Sequence, residues 1–296
     1  MKNFGSALLF YLVLMPVSLL PIPLLYLLSN FVRFVVFSLL KYRRKVIQMN
    51  LEKSFPEKSL SELNQIRKQF EKHFADILVE SIKNFSVSAK QANKRMLAEN
   101  TEIFDQFEKE GRGVVLLGGH QNNWELWAVA AGGHLPMRIM AIYKKLANDF
   151  FDQKMRSSRG RFGLELIPTK ETSQWMKDHI NETKCVVYAI DQSPANPKKA
   201  YWMNWLNQET AMYFGPEKHA RQYDMAVVFG SITKLKRGHY KVSYHLVTDD
   251  PNSLTEGEIL RRAQKMLAID IKSEPQHWLW THKRWKHKRP EGMPLN

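Results

Sequence analysis

The first forty residues form one apolar stretch. Between positions 3 and 40 the only charged side chain is Arg33, and the uncharged centre ALLFYLVLMPVSLLPIPLLYLL covers residues 7–28. About 20 apolar residues are enough for a helix to cross a bilayer core. The stretch is too long for the apolar region of a signal peptide, and no small-residue cleavage site follows it. It therefore predicts an N-terminal membrane-anchor helix.

The anchor has two possible arrangements. Prolines disfavour a straight helix, and three of them interrupt the stretch, namely Pro16, Pro21 and Pro23. The segment either spans the bilayer or enters one leaflet, with FVRFVVFSLL (31–40) lying along the interface. Basic residues cluster directly after it in KYRRK (41–45), whereas only Lys2 precedes it. This bias places the rest of the chain on the cytoplasmic face of the membrane. The expected division is an anchor with its basic juxtamembrane segment at 1–45 and a folded domain at 46–296.

The folded domain opens on an amphipathic helix and then alternates between strands and helices. In the helix, expected at 59–85, Ser59 and Glu62 form a capping box and apolar residues recur at spacings of three and four; His73, beside this stripe, reads as structural. Short apolar runs predict strands at 113–119, 138–143, 164–168, 185–191, 225–235 and 240–247. Helical patterns are expected near 124–131, 148–161, 171–180 and 217–223. The alternation predicts an α/β fold with a mostly parallel central sheet flanked by helices.

The last two strands and the last helix depart from this alternation. KRGHY (236–240) reads as a hairpin turn, so the last two strands are expected to be antiparallel. A final helix is expected from Thr255, boxed with Glu258, to about position 272.

Charge adds information about partners. The chain has 296 residues and a formal net charge of +15, from 44 basic and 29 acidic side chains. Such an excess implies an anionic partner. Near the end of the chain, EPQHWLWTHKRWKHKRP (274–290) interleaves tryptophans with cations, as nucleic-acid platforms and membrane-interfacial segments both do. The apolar N-terminus favours the membrane as the partner of this segment, and no nucleic-acid partner is expected. The single cysteine, Cys185, excludes an internal disulfide and lies in an apolar run typical of a buried strand.

Candidate chemistry follows the first predicted strand of the alternating region, in GVVLLGGHQNNWELW (113–127). Ligands of open α/β sheets bind beyond the carboxyl ends of strands, where His120 is expected. Glu125 lies five residues later, a spacing that points the two side chains apart on a continuous helix. They can meet only if His120 stands in the turn and Glu125 in the first turns of the next helix, for which Asn122 and Asn123 supply N-cap residues. A carboxylate on one imidazole nitrogen would make the other a general base for a hydroxyl acceptor. Neither a G-x-S-x-G elbow, a P-loop, H-E-x-x-H nor a Cys/His zinc spacing is present, so no metal or cofactor is expected.

Several ordered motifs give the chain a resemblance to a known family. They are the proline-broken apolar N-terminus, YRRKVIQMNLEKSFPEKS (42–59), GGHQNNWE (118–125), IYKKLANDFFDQKMRSSRGRFG (142–163), AIDQSP (189–194), ETAMYFGPEKHA (209–220) and PQHWLWTHKRWK (275–286). Together they resemble the bacterial lipid A biosynthesis (lauroyl/myristoyl) acyltransferase family, within the H-x4-D/E glycerolipid acyltransferase superfamily. The resemblance covers nearly the whole chain.

The resemblance implies an O-acyltransferase at the inner membrane. Its donor would be the thioester of an acidic acyl carrier protein, and its acceptor a hydroxyl of an anionic lipid A precursor, with a lysophospholipid or aminolipid as the alternative. His120 would be the base and Glu125 its partner. The family's arginine falls on Arg159, with Arg156 or Arg161 as other alignments, to bind a phosphate or stabilise the oxyanion. The D-Q motif falls on Asp191 and Gln192, and the residues expected to line the pocket are Thr210, Gly215 and Pro216. The family's usual Y-R-P reads YKK here (143–145), which leaves the acceptor open.

Overall fold

The computed structural model describes residues 3–296 and begins with two apolar helices. Helix α1 (Phe4–Leu19) and helix α2 (Ile22–Leu39) are separated by a break at Leu20 and Pro21. Within the described residues, α2 is the one helix long and apolar enough to cross a membrane, and 17% of its 18-residue window is buried. The break lies where the sequence places its prolines, because Pro21 has no backbone N–H to continue α1.

Both apolar helices pack on the rest of the chain. Helices α3 (Arg44–Ser54), α4 (Leu60–Lys83) and α5 (Ala89–Arg95) follow them. Ser29 of α2 donates a hydrogen bond to Asp76 of α4 at 2.6 Å, and Phe37 packs edge-on against Phe70 and Phe74. The opposite faces of α1 and α2 expose large apolar side chains, among them Phe4, Leu12, Leu19, Leu27, Phe31 and Phe34. The pair is thus a docked layer with an uncovered apolar outer face.

A seven-stranded sheet forms the centre of the molecule. Its strands are β1 (Met96–Glu99), β2 (Val114–Gly118), β3 (Arg138–Tyr143), β4 (Leu164–Pro168), β5 (Lys184–Ala189), β8 (Ala226–Lys236) and β9 (His239–Thr248). The spatial order is β1-β9-β8-β2-β5-β3-β4, and every neighbouring pair is parallel except β8 and β9. The predicted α/β class, with its mostly parallel sheet and terminal antiparallel pair, is confirmed.

Helices cover both faces of the sheet. They are α6 (Glu102–Lys109), α7 (Trp124–Ala130), α8 (Asp149–Arg159), α9 (Thr172–Asp178), α10 (Gly215–Gln222) and α11 (Glu258–Ser273). Along β2, Val115 and Leu117 enter one apolar cluster, while Val114 and Leu116 enter the other. A parallel strand buried on both faces reads as a continuous apolar run, which is why this strand was recognisable. Cys185 belongs to the second cluster, and burial raises the pKa of its thiol.

Two sequence predictions in this region are wrong. Trp278 and Trp280, assigned to an interfacial segment, are 1% and 0% exposed and belong to the core, with Trp285 packed against them. Their indole rings are amphipathic, and the core satisfies the N–H groups: Trp280, for example, donates to the carbonyl of Pro275. The predicted capping box of the last helix does not form either. Gly257, in a left-handed conformation at φ 82°, immediately precedes α11, so Glu258 is the first helical residue.

A small hairpin outside the main sheet was not predicted. Strands β6 (Tyr201–Trp205) and β7 (Gln208–Met212) pair antiparallel around Leu206 and Asn207, which both have positive φ. The turn residues Leu-Asn are not a usual hairpin signal, since positive φ favours Gly, Asn or Asp. The hairpin and the C-terminal tryptophans pack together over the carboxyl end of the sheet, where Trp205 contacts Trp278 and Trp285.

Candidate active site

Two loops at the carboxyl ends of neighbouring strands build the site. His120 follows β2 by two residues, and Asp191 follows β5 by two residues. β2 and β5 are adjacent and parallel, with Gly118 opposite Ala189, so both loops leave the sheet at the same edge. Gly119 keeps the loops close: a Cβ there would come within 2.7 Å of the Leu267 side chain and 3.3 Å of an Asp191 oxygen. The site lies at the edge predicted from the strand–glycine–histidine pattern.

Asp191 holds His120 through two hydrogen bonds. The imidazole Nδ1 lies 2.7 Å from Asp191 Oδ1, and the backbone N–H of His120 donates to Oδ2 at 2.7 Å. The indole N–H of Trp278 also donates to Oδ2, at 2.8 Å. With Asp191 ionised and accepting from Nδ1–H, the proton of the neutral imidazole resides on Nδ1, and Nε2 carries the lone pair.

The charges of this pair support each other. Burial alone would raise the pKa of Asp191, but the charge of His120 and the hydrogen bonds of His120 and Trp278 outweigh it and lower that pKa to about 2. Burial alone would lower the pKa of His120, but the Asp191 carboxylate, and to a smaller extent Glu125, raise it above its ordinary value. The Asp191 side chain is 2% exposed, and the His120 side chain is 19% exposed. The carboxylate thus stays charged and the imidazole is made more basic.

The Nε2 side of the imidazole faces away from Asp191 and is the side open to a proton donor. Gln192, the residue after Asp191, places its side-chain amide nitrogen 3.1 Å from Nε2. The ring of Trp124 stands edge-on to the imidazole, with 5.3 Å between the ring centroids. The lone pair of Nε2 therefore faces a polar amide rather than a second carboxylate, and a hydroxyl that displaces this amide can give its proton to Nε2.

Glu125 has a different partner from the one predicted. It is the second residue of α7, and Asn123 caps that helix by accepting the N–H of Leu126 at 2.8 Å, so the expected turn-and-helix geometry is present. Its carboxylate, however, accepts two hydrogen bonds from Arg159, at 3.0 Å from Nε and 2.7 Å from Nη2. Within residues 3–296 the carboxylate bonded to His120 is that of Asp191. Spacing along one segment cannot reveal a partner that a neighbouring strand contributes.

The three candidate arginines occupy distinct places. Arg159, at the end of α8, forms the bidentate pair with Glu125. Arg156, one turn earlier, lines a cavity of about 770 Å³ beside the carboxyl ends of β3 and β4. Arg161 donates to backbone carbonyls, including that of Asn84 at 3.0 Å, and so fastens the end of α4. Of the three, Arg159 is the one joined to a predicted site residue.

The remaining predicted residues lie in the hairpin layer. The hydroxyl of Thr210 is buried in β7, where it accepts the indole N–H of Trp285 at 2.8 Å and donates to the Gln208 carbonyl. Gly215 begins α10, and a Cβ there would meet the Tyr213 ring at 2.7 Å. The structure gives both residues packing contacts, and their lining of a pocket stays a prediction.

Sequence reasoning missed two side chains close to the His120–Asp191 pair. His282 Nε2 accepts the backbone N–H of Ser193 at 3.1 Å, and burial lowers the pKa of this imidazole to about 4, so it is neutral. Arg284 is 1% exposed; burial lowers its pKa to about 10, while the charge of Asp191 acts in the opposite direction. Both come from the Trp- and Lys-rich segment. The alternation of aromatic and basic residues in that segment is typical of an exposed surface. The burial of Trp278 and Trp280 shows that the segment belongs to the core instead.

Comparisons with known proteins identify the family of the chain. The family model described as "Bacterial lipid A biosynthesis acyltransferase" matches residues 2–287. The chain belongs to that family. It is 22% identical over 275 residues to the lipid A biosynthesis palmitoleoyltransferase of Escherichia coli (strain K12), covering 92% of this chain and 88% of the relative. It is 24% identical over 280 residues to the lipid A biosynthesis lauroyltransferase of the same organism, covering 93% and 89%. A lipid A biosynthesis acyltransferase of Haemophilus influenzae is 21% identical over 254 residues, covering 85% and 80%.

Family membership identifies the chain as an acyltransferase of lipid A biosynthesis, as the motifs indicated. In the part of the chain that the structure describes, no group of three His, Cys, Asp or Glu side chains could hold a metal ion. That no cofactor is required stays a prediction.

Proposed function

We propose that this acyltransferase moves a fatty acyl chain from an acyl carrier protein thioester to a hydroxyl of a lipid A precursor, as a secondary acylation. The observation that carries the proposal is the His120–Asp191 pair, which leaves Nε2 as a basic nitrogen at the carboxyl edge of the sheet. A hydroxyl is a weak nucleophile, and a positioned general base is what it needs. Family membership supplies the acyl transfer and the lipid A pathway, and this pair supplies the proton acceptor.

The proposed reaction is a direct transfer. Nε2 of His120 takes the proton of the acceptor hydroxyl while the hydroxyl oxygen attacks the carbonyl carbon of the thioester. The tetrahedral intermediate then expels the thiolate, which takes the proton back from Nε2. Asp191 holds Nδ1–H throughout and stabilises the imidazolium, while the Gln192 amide, 3.1 Å from Nε2, is placed to donate to the oxyanion.

Arg159 and Glu125 serve the acceptor in this proposal. Arg159 remains 22% exposed while Glu125 holds its Nε and Nη2 atoms, so the guanidinium keeps free donors in a fixed plane. A fork of this kind suits a phosphate oxygen. The Glu125 carboxylate also adds to the negative potential that raises the pKa of His120. The pair orients the acceptor and tunes the base rather than taking the proton.

The proposed location is the cytoplasmic face of the inner membrane, with the anchor in one leaflet. Along α2, contacts with α4 extend from Tyr26, which donates to Glu80 at 2.8 Å, to Phe37, which packs on Phe70. A helix that is covered along this length by a polar domain cannot also be surrounded by lipid, whereas its exposed outer face can enter the headgroup–acyl boundary. This favours the second of the two arrangements left open by the sequence. The +15 charge suits both an anionic leaflet and an acidic carrier protein.

The test compares two histidine variants. His120→Ala removes the proposed base, and His245→Ala, at an exposed position on β9, is the matched control. With purified acyl carrier protein thioester and a lipid A precursor, His120→Ala is expected to lose about 10²–10⁴-fold in rate, while His245→Ala keeps the wild-type rate. A His120→Ala rate within tenfold of wild type would contradict the proposed base. Mass spectrometry of the product separates a lipid A acceptor from a lysophospholipid or aminolipid.

A further inference from the structure

A cavity of about 360 Å³ lies between the anchor and the folded domain, away from His120. Its walls include the break between α1 and α2, the end of α5 and the turn between β8 and β9. Residues on these walls include Pro21, Tyr26, Lys83, Lys94, Arg95 and His239. None of them belongs to the site around His120 and Asp191. The volume falls in the range of small-ligand sites.

The walls of the cavity carry cations and, within the described residues, no carboxylate. Lys83 uses two of its three N–H donors on the carbonyls of Ser18 and Leu20, at 2.8 and 3.1 Å. Burial and the neighbouring Arg95 lower the pKa of Lys83, as expected where cations crowd together. Lys94 is exposed at the rim. Three cationic side chains, Lys83, Lys94 and Arg95, therefore line this space, and the carboxylate nearest to them, that of Glu80, lies behind Arg95.

Arg95 is the buried member of the group, and not all of its donors have an acceptor. Its side chain is 8% exposed, its Nε donates to the Gly238 carbonyl at 2.8 Å, and its Nη1 has no hydrogen-bond partner. Behind it, the nearest oxygen of Glu80 is 3.3 Å from Nη2. Burying an unpaired donor of a charged group is costly. Arg95 is thus a buried cation on the wall of the cavity, with a donor that no protein group accepts.

The position of the cavity indicates where an anion would come from. Pro21 and Ile22, on its wall, belong to the apolar anchor, and their neighbours Leu19 and Leu24 are 67% and 48% exposed. Exposed apolar side chains next to a cationic cavity are the arrangement expected at the boundary between acyl chains and headgroups. We propose that this cavity binds the phosphate group of an anionic phospholipid headgroup, as a lipid site separate from the acyl-transfer site.

Flotation with vesicles tests the proposal on the full-length protein. Binding of the wild type is measured with phosphatidylcholine vesicles and with vesicles in which about one lipid in five is phosphatidylglycerol. The variant is Lys94→Gln, at the rim of the cavity, and the matched control is Lys90→Gln, on the same helix and exposed, but outside the cavity. A cation near an anionic surface contributes about a fivefold factor in partitioning. The increase in vesicle binding caused by phosphatidylglycerol should be about fivefold smaller in Lys94→Gln than in wild type. In Lys90→Gln it should be less than about twofold smaller.

A second variant and a soluble anion complete the test. Arg95→Lys keeps the charge but removes the planar donors, and it should also lose the phosphatidylglycerol gain if it keeps the wild-type melting temperature. Equal losses in Lys90→Gln and Lys94→Gln would show general surface attraction and overturn the site. No loss in Lys94→Gln would overturn it as well. If inorganic phosphate at millimolar concentration abolishes the gain in wild type and raises its melting temperature, the ligand is a soluble phosphate and the lipid source is overturned.

Discussion

Replacing Asp191 by Asn tests which carboxylate controls His120, the proposed general base. The change keeps the size of the side chain and removes its charge. Asp191 accepts three hydrogen bonds, two from His120 and one from Trp278. An amide has only one acceptor oxygen, and its NH₂ group would donate to Nδ1 of His120 and move the imidazole proton to Nε2. The base would then carry a proton where it needs a lone pair, so kcat/KM should fall by about 10³–10⁴.

The stability and pH dependence of this variant follow from the pKa shifts. The pKa of Asp191 is lowered from 3.8 to about 2, so its charge contributes stability that is fully present above pH 3.8 and is lost as the pH falls through 2. At about 1.4 kcal/mol per unit, the variant should lose about 2 kcal/mol of unfolding free energy at pH 7. The same carboxylate raises the pKa of His120. In Asp191→Asn the acidic limb of the kcat/KM profile should therefore move to lower pH.

The assay is the pH profile of kcat/KM for three variants, with urea unfolding of each. Trp278→Phe is the control for packing around Asp191: it removes one donor to the carboxylate and leaves the charge, and it should cost less than tenfold. Glu125→Gln removes the partner of Arg159 and should cost about tenfold to a hundredfold without moving the acidic limb by more than a few tenths of a pH unit. If Glu125→Gln loses 10³-fold while Asp191→Asn stays within tenfold of wild type, the reasoning is refuted and Glu125 is the partner of His120.

Three further changes have expected outcomes. Arg159→Lys replaces the bidentate fork by a single point charge and should raise KM for a phosphorylated acceptor about tenfold while changing kcat less than threefold, as steady-state kinetics would show. Gly132→Ala places a Cβ against the backbone oxygen of Phe162 and should lower the free energy of unfolding in urea by about 1–3 kcal/mol. Gly160→Ala, with open space around the new Cβ, is the control and should change it by less than about 0.5 kcal/mol. Equal effects of the two variants would contradict this. Glu80→Ala leaves Arg95 buried without its carboxylate and should cost about 3–5 kcal/mol; a loss below 1 kcal/mol would contradict the buried pair.

The elements that sequence patterns predicted are those whose signal is local. β3 and β4 have the bounds that their apolar runs gave, and the capping box of Ser59 and Glu62 forms as expected at the start of α4. The turn that carries His120 was predictable because the strand, the glycines and the cap residues lie within about a dozen positions of one another. The partner of His120 was not, because Asp191 is 71 residues away and its loop depends on β5 lying beside β2.

The C-terminal tryptophans show a second limit. A tryptophan beside cations has the same local pattern at a membrane interface and in a core where a few buried polar groups accept its N–H. Trp278 lies in the apolar core, and its N–H is satisfied there because it donates a hydrogen bond to the buried Asp191 carboxylate. Only the completed site explains that burial, so no pattern within residues 274–290 could have predicted it.

Glu80 connects the apolar helix α2 to helix α7. It is 1% exposed, and burial raises the pKa of its carboxyl group despite the charge of Arg95. Its oxygens accept hydrogen bonds from Tyr26 of the anchor at 2.8 Å and from Asn123 at 2.5 Å, and Asn123 caps the helix that carries Glu125. The Glu80 side chain thus contacts Tyr26 of α2, Arg95 on the wall of the cationic cavity, and Asn123 at the start of α7. Because those contacts share one buried group, the apolar helix α2 is tied into the folded domain beside the turn between β2 and α7.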